Sequence, residues 1–112
     1  MVIGVFDPLS FFKCLADETR LKSLLLIANQ GPMCVCDLVA ALAISQPKVS
    51  RHLADLRNCQ LLMSERKGKW VFYQLHPELP AWALDVLNQT ASHNHEYIKT
   101  NLTKLRESLA CC

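Results

Sequence analysis

Apolar positions along this 112-residue chain fall into short helical stripes, one strand-like stretch and a long C-terminal stripe. Phe11, Phe12 and Leu15 share one face of a segment, Pro8 to Ala16. Asp7 is placed to cap that segment and Pro8 suits its first turn, so a helix is expected there. Asp17 and Glu18 put negative charge at the opening of a second helix. Leu21, Leu24, Leu25, Ile27 and Ala28 supply its apolar face, and Gly31-Pro32 stops it. A third helix is expected from Cys34 to Leu42, with Leu38, Ala41 and Leu42 on one side. After a break at Ala43 to Ser45, Ser45 caps a fourth helix and Pro47 sits in its first turn. Val49, Leu53 and Leu56 then recur at i, i+4 and i+7, a core stripe.

Between Leu61 and Leu75 the period changes. Leu61-Leu62-Met63 and Trp70-Val71-Phe72-Tyr73 read as two strands joined by the charged, glycine-containing tip Glu65-Arg66-Lys67-Gly68-Lys69, which predicts a hairpin. Pro77 and Pro80 end it. From Ala81 the chain reads as helix to about residue 109, with Leu84, Leu87, Ala91, Ile98, Leu102, Leu105 and Leu109 spaced by three, four or seven. So narrow a stripe suits helix-on-helix packing. A homodimer seam is the use favoured for it; a helix folded back on its own domain is the alternative.

Composition bounds the rest. Hydrophobic residues at 51% and charged residues at 20% fit one globular domain over residues 1–112. Apolar runs such as Leu24 to Ala28 are far shorter than the roughly 20 residues of a membrane span. The start lacks a basic n-region and meets Asp7 and Pro8 early, so no signal peptide and a cytoplasmic location are expected. In such a reducing compartment the six cysteines should be thiols. The net charge is only +2, but residues 45–76 hold six Lys and Arg against two acids, a local excess of +4. That is the footprint of a phosphate-binding face, or else an ordinary solvated surface.

Two short helices, a tight break, an amphipathic helix and a basic hairpin make the order of a winged helix-turn-helix, with the helix pair at about 34–58 and the wing at about 61–75. The N-terminal end of the second helix would present Ser45, Gln46, Lys48, Ser50, Arg51 and His52 to the major groove. Gln and Arg can read base edges, while Ser and Lys mostly hold phosphates. Arg66, Lys67 and Lys69 at the hairpin tip would reach the backbone or the minor groove.

The stretches 12–21 (FKCLADETRL), 33–38 (MCVCDL), 45–53 (SQPKVSRHL) and 68–73 (GKWVFY) resemble the ArsR/SmtB repressors, most of all the arsenic-responsive branch. The resemblance runs to about Ala83. It implies a mainly α fold with a β-hairpin wing and a homodimer formed through N- and C-terminal helices. Its partner would be a double-stranded operator of the ars type, released when trivalent arsenic or antimony binds.

On that resemblance Cys34-Val35-Cys36 is the inducer site, since a soft trivalent ion takes thiolate ligands. Residues i and i+2 diverge on a helix but point the same way in an extended segment. Gripping one ion with both sulfurs should therefore unwind the start of that helix. Both cysteines as buried small hydrophobes is the competing reading. Other family members carry a further Cys three residues on, where this chain has Val39. A third ligand would come from Cys14, Cys59, Cys111 or Cys112 of either subunit, from a small thiol, or from water. The family's zinc motif, Asp-x-His, is broken here by Asp85-Val86-Leu87. His93, His95 and Glu96 read as solvent-facing or dimer-edge residues. Zinc, cadmium or lead sensing, or thiol oxidation, is the alternative in the same fold. A thiol enzyme is disfavoured, because there is no Cys-x-x-Cys and no strand–helix alternation.

Overall fold

Two aspartates set where the first helices begin. Helix α1 (Pro8–Leu15) starts after Asp7, whose extended backbone lets its carboxylate accept from the Ser10 N–H at 2.9 Å. Helix α2 (Glu18–Gln30) starts after Asp17, which accepts from the Arg20 N–H at 3.0 Å. Gly31, at φ +89°, ends α2 in a conformation that favours glycine. There follow β1 (Met33–Cys34), α3 (Val35–Leu42), α4 (Gln46–Asn58), β2 (Leu62–Lys67), β3 (Trp70–Leu75), α5 (Ala81–His93) and α6 (His95–Glu107). The computed structural model describes residues 6–108.

The core is built around α2. Leu24, Leu25, Leu26 and Ile27 are four consecutive buried residues. A helix buried in four successive positions has partners on every side. For α2 these are α1, α3, α4, α5, α6 and β3. Val49, Leu53 and Leu56 of α4 are fully buried, as their spacing predicts.

The sheet is larger than the hairpin read from the sequence. Its antiparallel order is β1-β3-β2, with β1 adding Met33 opposite Tyr73 and Cys34 opposite Phe72. Two residues are too short to show a period, and the sequence places Cys34 at the start of α3. Cys34 is instead the extended residue just before that helix, at φ −86° and ψ 168°.

The long C-terminal helix is two helices. Asn94, at φ −130° and ψ 44°, interrupts it, and its side-chain amide donates to the Thr90 carbonyl at 2.9 Å. Helix α6 then lies on α3. Ile98 and Leu102 are buried, and the Asn101 amide donates to the Ala41 carbonyl at 2.8 Å. This part of the stripe is satisfied within the chain, the reading given second place above, and not at a seam between two copies. Leu109 lies outside the described residues.

A different apolar face is left open. Leu9 and Phe12 on α1 and Trp82 and Leu84 on α5 are all exposed. Phe11 joins them from beneath, its ring 5.0 Å from Phe12 and 5.2 Å from Trp82. Among the described residues no helix is long and apolar enough to cross a membrane.

The expectation of six thiols is also corrected. Cys14 of α1 and Cys59, the residue that ends α4, are joined as a disulfide across 45 residues of sequence.

Candidate nucleic-acid interface and cysteine site

Helices α3 and α4 are joined by a tight turn. Ala43 takes the left-handed conformation, φ +57° and ψ 40°, and its N–H closes α3 on the Val39 carbonyl. Ser45 then precedes α4 in extended backbone, with no capping bond from its hydroxyl. Ser45, Gln46, Lys48, Ser50 and Arg51 all face solvent at this end of α4. The helix N-terminus adds unpaired N–H groups that favour a phosphate.

His52, expected in the same set, points the other way. Its side chain is 16% exposed, and Nδ1 lies 3.8 Å from an Asp17 carboxylate oxygen. It lies three residues beyond the buried Val49, so it shares the side of α4 that packs on α2. Nδ1 itself is buried and makes no hydrogen bond.

The wing forms as the alternation predicts, with register from Leu62 opposite Leu75 to Lys67 opposite Trp70. Gly68, at φ +64°, makes the tip possible. Arg66, Lys67 and Lys69 are exposed there. Arg66 Nε donates to the Gly68 carbonyl at 3.2 Å. The ammonium groups of Lys67 and Lys69 lie 6.0 and 5.4 Å from the Phe72 and Trp70 ring centres. Such contacts orient the cations without neutralising them.

Arg20 is a positioning residue that the sequence reading missed. Its Nε donates to the Cys14 carbonyl at 2.8 Å, at the end of α1, and Nη1 lies 3.8 Å from the Asp55 carboxylate on α4. Together with the Asp17–His52 contact, it fastens the reading helix to the α1–α2 corner. The N–H of Arg20 holds the Asp17 carboxyl below its ordinary range; the charges of His52 and Arg20 add to this, and partial burial opposes it. Only the run of charged residues at 17–20 hinted at such a joint.

Cys34 and Cys36 straddle the boundary between β1 and α3. Cys34 is buried, its N–H donating to the Asp37 carboxylate at 3.3 Å. Cys36 is a free, half-buried thiol in the first turn of α3. Val39 packs against the core. Cys14, proposed above as a third ligand, has its sulfur bonded to Cys59, which removes both from the candidates while that bond stands. Cys111 and Cys112 lie outside the described residues. Among the described residues no three His, Cys, Asp or Glu side chains are grouped to hold a metal ion. Asp85, His93, His95 and Glu96 are exposed.

Residues 17–64 match the family described as bacterial regulatory protein, arsR family. Over 103 residues the chain is 48% identical to the arsenic resistance transcriptional regulator ArsR1 of Pseudomonas putida, covering 92% of this chain and 80% of that one. The chain belongs to the arsR family. It is also 47% identical to the arsenical resistance operon repressor of Escherichia coli over 98 residues, 88% of this chain and 84% of that protein. The crystal structure of the AntR antimony-specific transcriptional repressor superposes with a TM-score of 0.64 at 31% identity, covering 79% of this chain and 77% of the other. This ArsR-family protein is therefore a winged-helix transcriptional repressor that binds DNA, and not an enzyme.

Proposed function

We propose that this repressor binds an ars-type operator as a cytoplasmic homodimer and releases it when trivalent arsenic or antimony binds Cys34 and Cys36. The observation that carries this reading is the place of Cys34, which joins the first helix of the helix-turn-helix to the wing sheet. The names of the relatives, arsenic resistance and antimony-specific repressors, support the inducer class.

Operator contact would fall to Ser45, Gln46, Lys48, Ser50 and Arg51 at the tip of α4 and to Arg66, Lys67 and Lys69 on the wing. His52 helps by holding α4 on α2, not by reaching the groove. The exposed face of Leu9, Phe12, Trp82 and Leu84 would receive the second copy. Burying it brings two α4 helices to two half-sites.

Two thiolates suit a soft trivalent ion, which supplies strong sulfur bonds and gives the site its selectivity. The Cys36 thiol must lose its proton to act as a ligand, and Cys34, whose sulfur is engaged in a disulfide, must first be reduced. Cys36 lies within the helix and Cys34 outside it. Bringing the two sulfurs to one centre requires the first turn of α3 to leave helical backbone angles. That turn is held by the Asp37–Cys34 hydrogen bond and by pairing of β1 with β3. Losing an N-terminal cap costs about 0.5–2 kcal/mol. Since α3 packs on α4, the disturbance reaches the reading helix and the wing together. A coupling of about 1–3 kcal/mol, roughly 5–150-fold in operator affinity, suffices to release a promoter.

Replacing both residues, Cys34→Ser with Cys36→Ser, should preserve operator binding and abolish arsenite-driven release in a mobility-shift titration. Release by arsenite at the wild-type concentration would refute the assignment. Arsenite and antimonite should act at lower concentration than zinc or cadmium.

A further inference from the structure

The inducer reading leaves a second pair of cysteines unused. Cys14 is 7% exposed at the end of α1, and Cys59 is half-buried at the last turn of α4. Folding brings them together from 45 residues apart, and their Cα atoms lie 7.0 Å apart. The same corner holds the Arg20 contacts to the Cys14 carbonyl and to Asp55, and the Asp17–His52 contact. The Arg20–Cys14 bond closes the α1–α2 corner on itself, and the Arg20–Asp55, Asp17–His52 and Cys14–Cys59 links tie that corner to the reading helix, the last of them covalently.

We propose that Cys14 and Cys59 form a reversible oxidation site, through which a peroxide fastens α4 and tightens operator binding. Cys59, the more exposed residue of the two, meets the oxidant first. Its thiolate attacks one peroxide oxygen and the O–O bond breaks, leaving a sulfenic acid and a hydroxide that takes up a proton to become water. The Cys14 thiol then attacks the sulfenic sulfur. The S–S bond forms, and the displaced hydroxide leaves as water with the Cys14 proton. Two electrons pass from the dithiol to the peroxide. A small dithiol returns the pair to thiols by exchange.

The sign follows from preorganisation. With the bond formed, α4 is a complete helix and its Arg20 and Asp17 contacts are in place. A reading helix held in advance spends less ordering free energy on binding. Without the bond, the same helix end keeps its buried Leu53 and Leu56, but its polar ties to the α1–α2 corner are partly exposed ion pairs, which are weak holds.

The test uses the full chain, and its second half rests on the operator-binding reading. Reduced protein is first shown to bind the operator; failure there would count against the proposed function and not against this site. Wild-type protein is then treated with hydrogen peroxide and mapped by peptide mass spectrometry without reduction. A Cys14–Cys59 linked peptide is expected, absent after dithiothreitol. In a mobility-shift titration the oxidised protein should bind the operator about fivefold more tightly than the reduced, a modest coupling between sites. Cys59→Ala and Cys14→Ala should abolish that difference. The first of these alters the more exposed position, so it stands if the buried substitution fails to fold. A pair that stays reduced under peroxide while arsenite shields both thiols from alkylation would overturn the proposal in favour of a metalloid site. A disulfide that forms with no change in operator affinity, or with weaker binding, would reduce it to a staple.

Discussion

Ile98 and Leu102 on α6 are 0% and 3% exposed, whereas Leu9 and Phe12 on α1 remain 65% and 50% exposed. Both groups look alike along the chain, as apolar residues at helical spacing. Their fates differ because α6 finds α3 within the same chain, and Asn101 adds a hydrogen bond to Ala41. The faces of α1 and α5 meet no further element among the described residues. Periodicity therefore tells that a helix packs, but not which surface receives it.

The sharpest way to break this contrast is at Leu102. Leu102→Ala should cost about 2–5 kcal/mol of folding stability, the usual range for a buried leucine. Urea unfolding should show the loss at every protein concentration. A loss that vanishes at high concentration would mean that Leu102 sits at a seam between copies after all.

Phe12 should behave in the opposite way. Phe12→Glu together with Trp82→Glu places charge on the open aromatic face and should raise the dimer dissociation constant by at least tenfold, on the order expected for interface hot spots. Sedimentation equilibrium reads this directly. An unchanged association constant would move the dimer contact elsewhere.

The same contrast between facing in and facing out runs along α4. Arg51→Ala and Gln46→Ala, both at exposed positions, should weaken operator binding by about 1–3 kcal/mol with altered base preference. His52→Ala, at the inward position, should instead lower stability and leave base preference unchanged. Titrations on the operator and on variants with single base changes separate these outcomes.

Much of the architecture was legible because its signals are local. Asp7 caps, Asp17 and Glu18 bring negative charge to a helix start, Gly31 and Gly68 turn, and the 3.6 and 2.0 periods switch where helix gives way to strand. What stayed hidden depends on distance. Met33 and Cys34 form a strand only because β3 lies beside them. Asn94 divides two helices whose apolar spacing runs on across the break. The pairing of Cys14 with Cys59 cannot be read from spacing, since connectivity is a property of the fold. Arg20 becomes a joint only when α1 and α4 converge on it. For the candidate site the residue types were visible and their directions were not. Five of the six expected residues at this end of α4 face outward, and His52 faces in because it follows Val49 on the packed side of the helix, where it meets Asp17.

Asp17 gives the smallest and most specific test, because it serves two regions at once. Its carboxylate caps α2 and faces His52 on α4. Its folded pKa is lowered from the ordinary 3.8, first by the Arg20 N–H and then by the charges of His52 and Arg20, so folding favours the ionised form. The stability it adds is complete above the unfolded value near pH 4 and is lost as pH falls through the lower folded value. Asp17→Ala should cost about 0.5–2 kcal/mol at pH 7, the range for a lost N-cap. Asp17→Asn retains an acceptor oxygen, so at pH 7 it should cost less than Ala, and it should flatten the acid limb of the stability curve below pH 4. If Asn and Ala are equally harmful at pH 7, the charge facing α4 outweighs the cap, and the α2–α4 joint is chiefly electrostatic. If Asn is harmless and the acid limb is unchanged, the carboxylate acts on α2 alone, and the reading helix owes its hold to Arg20 and to the cysteine pair.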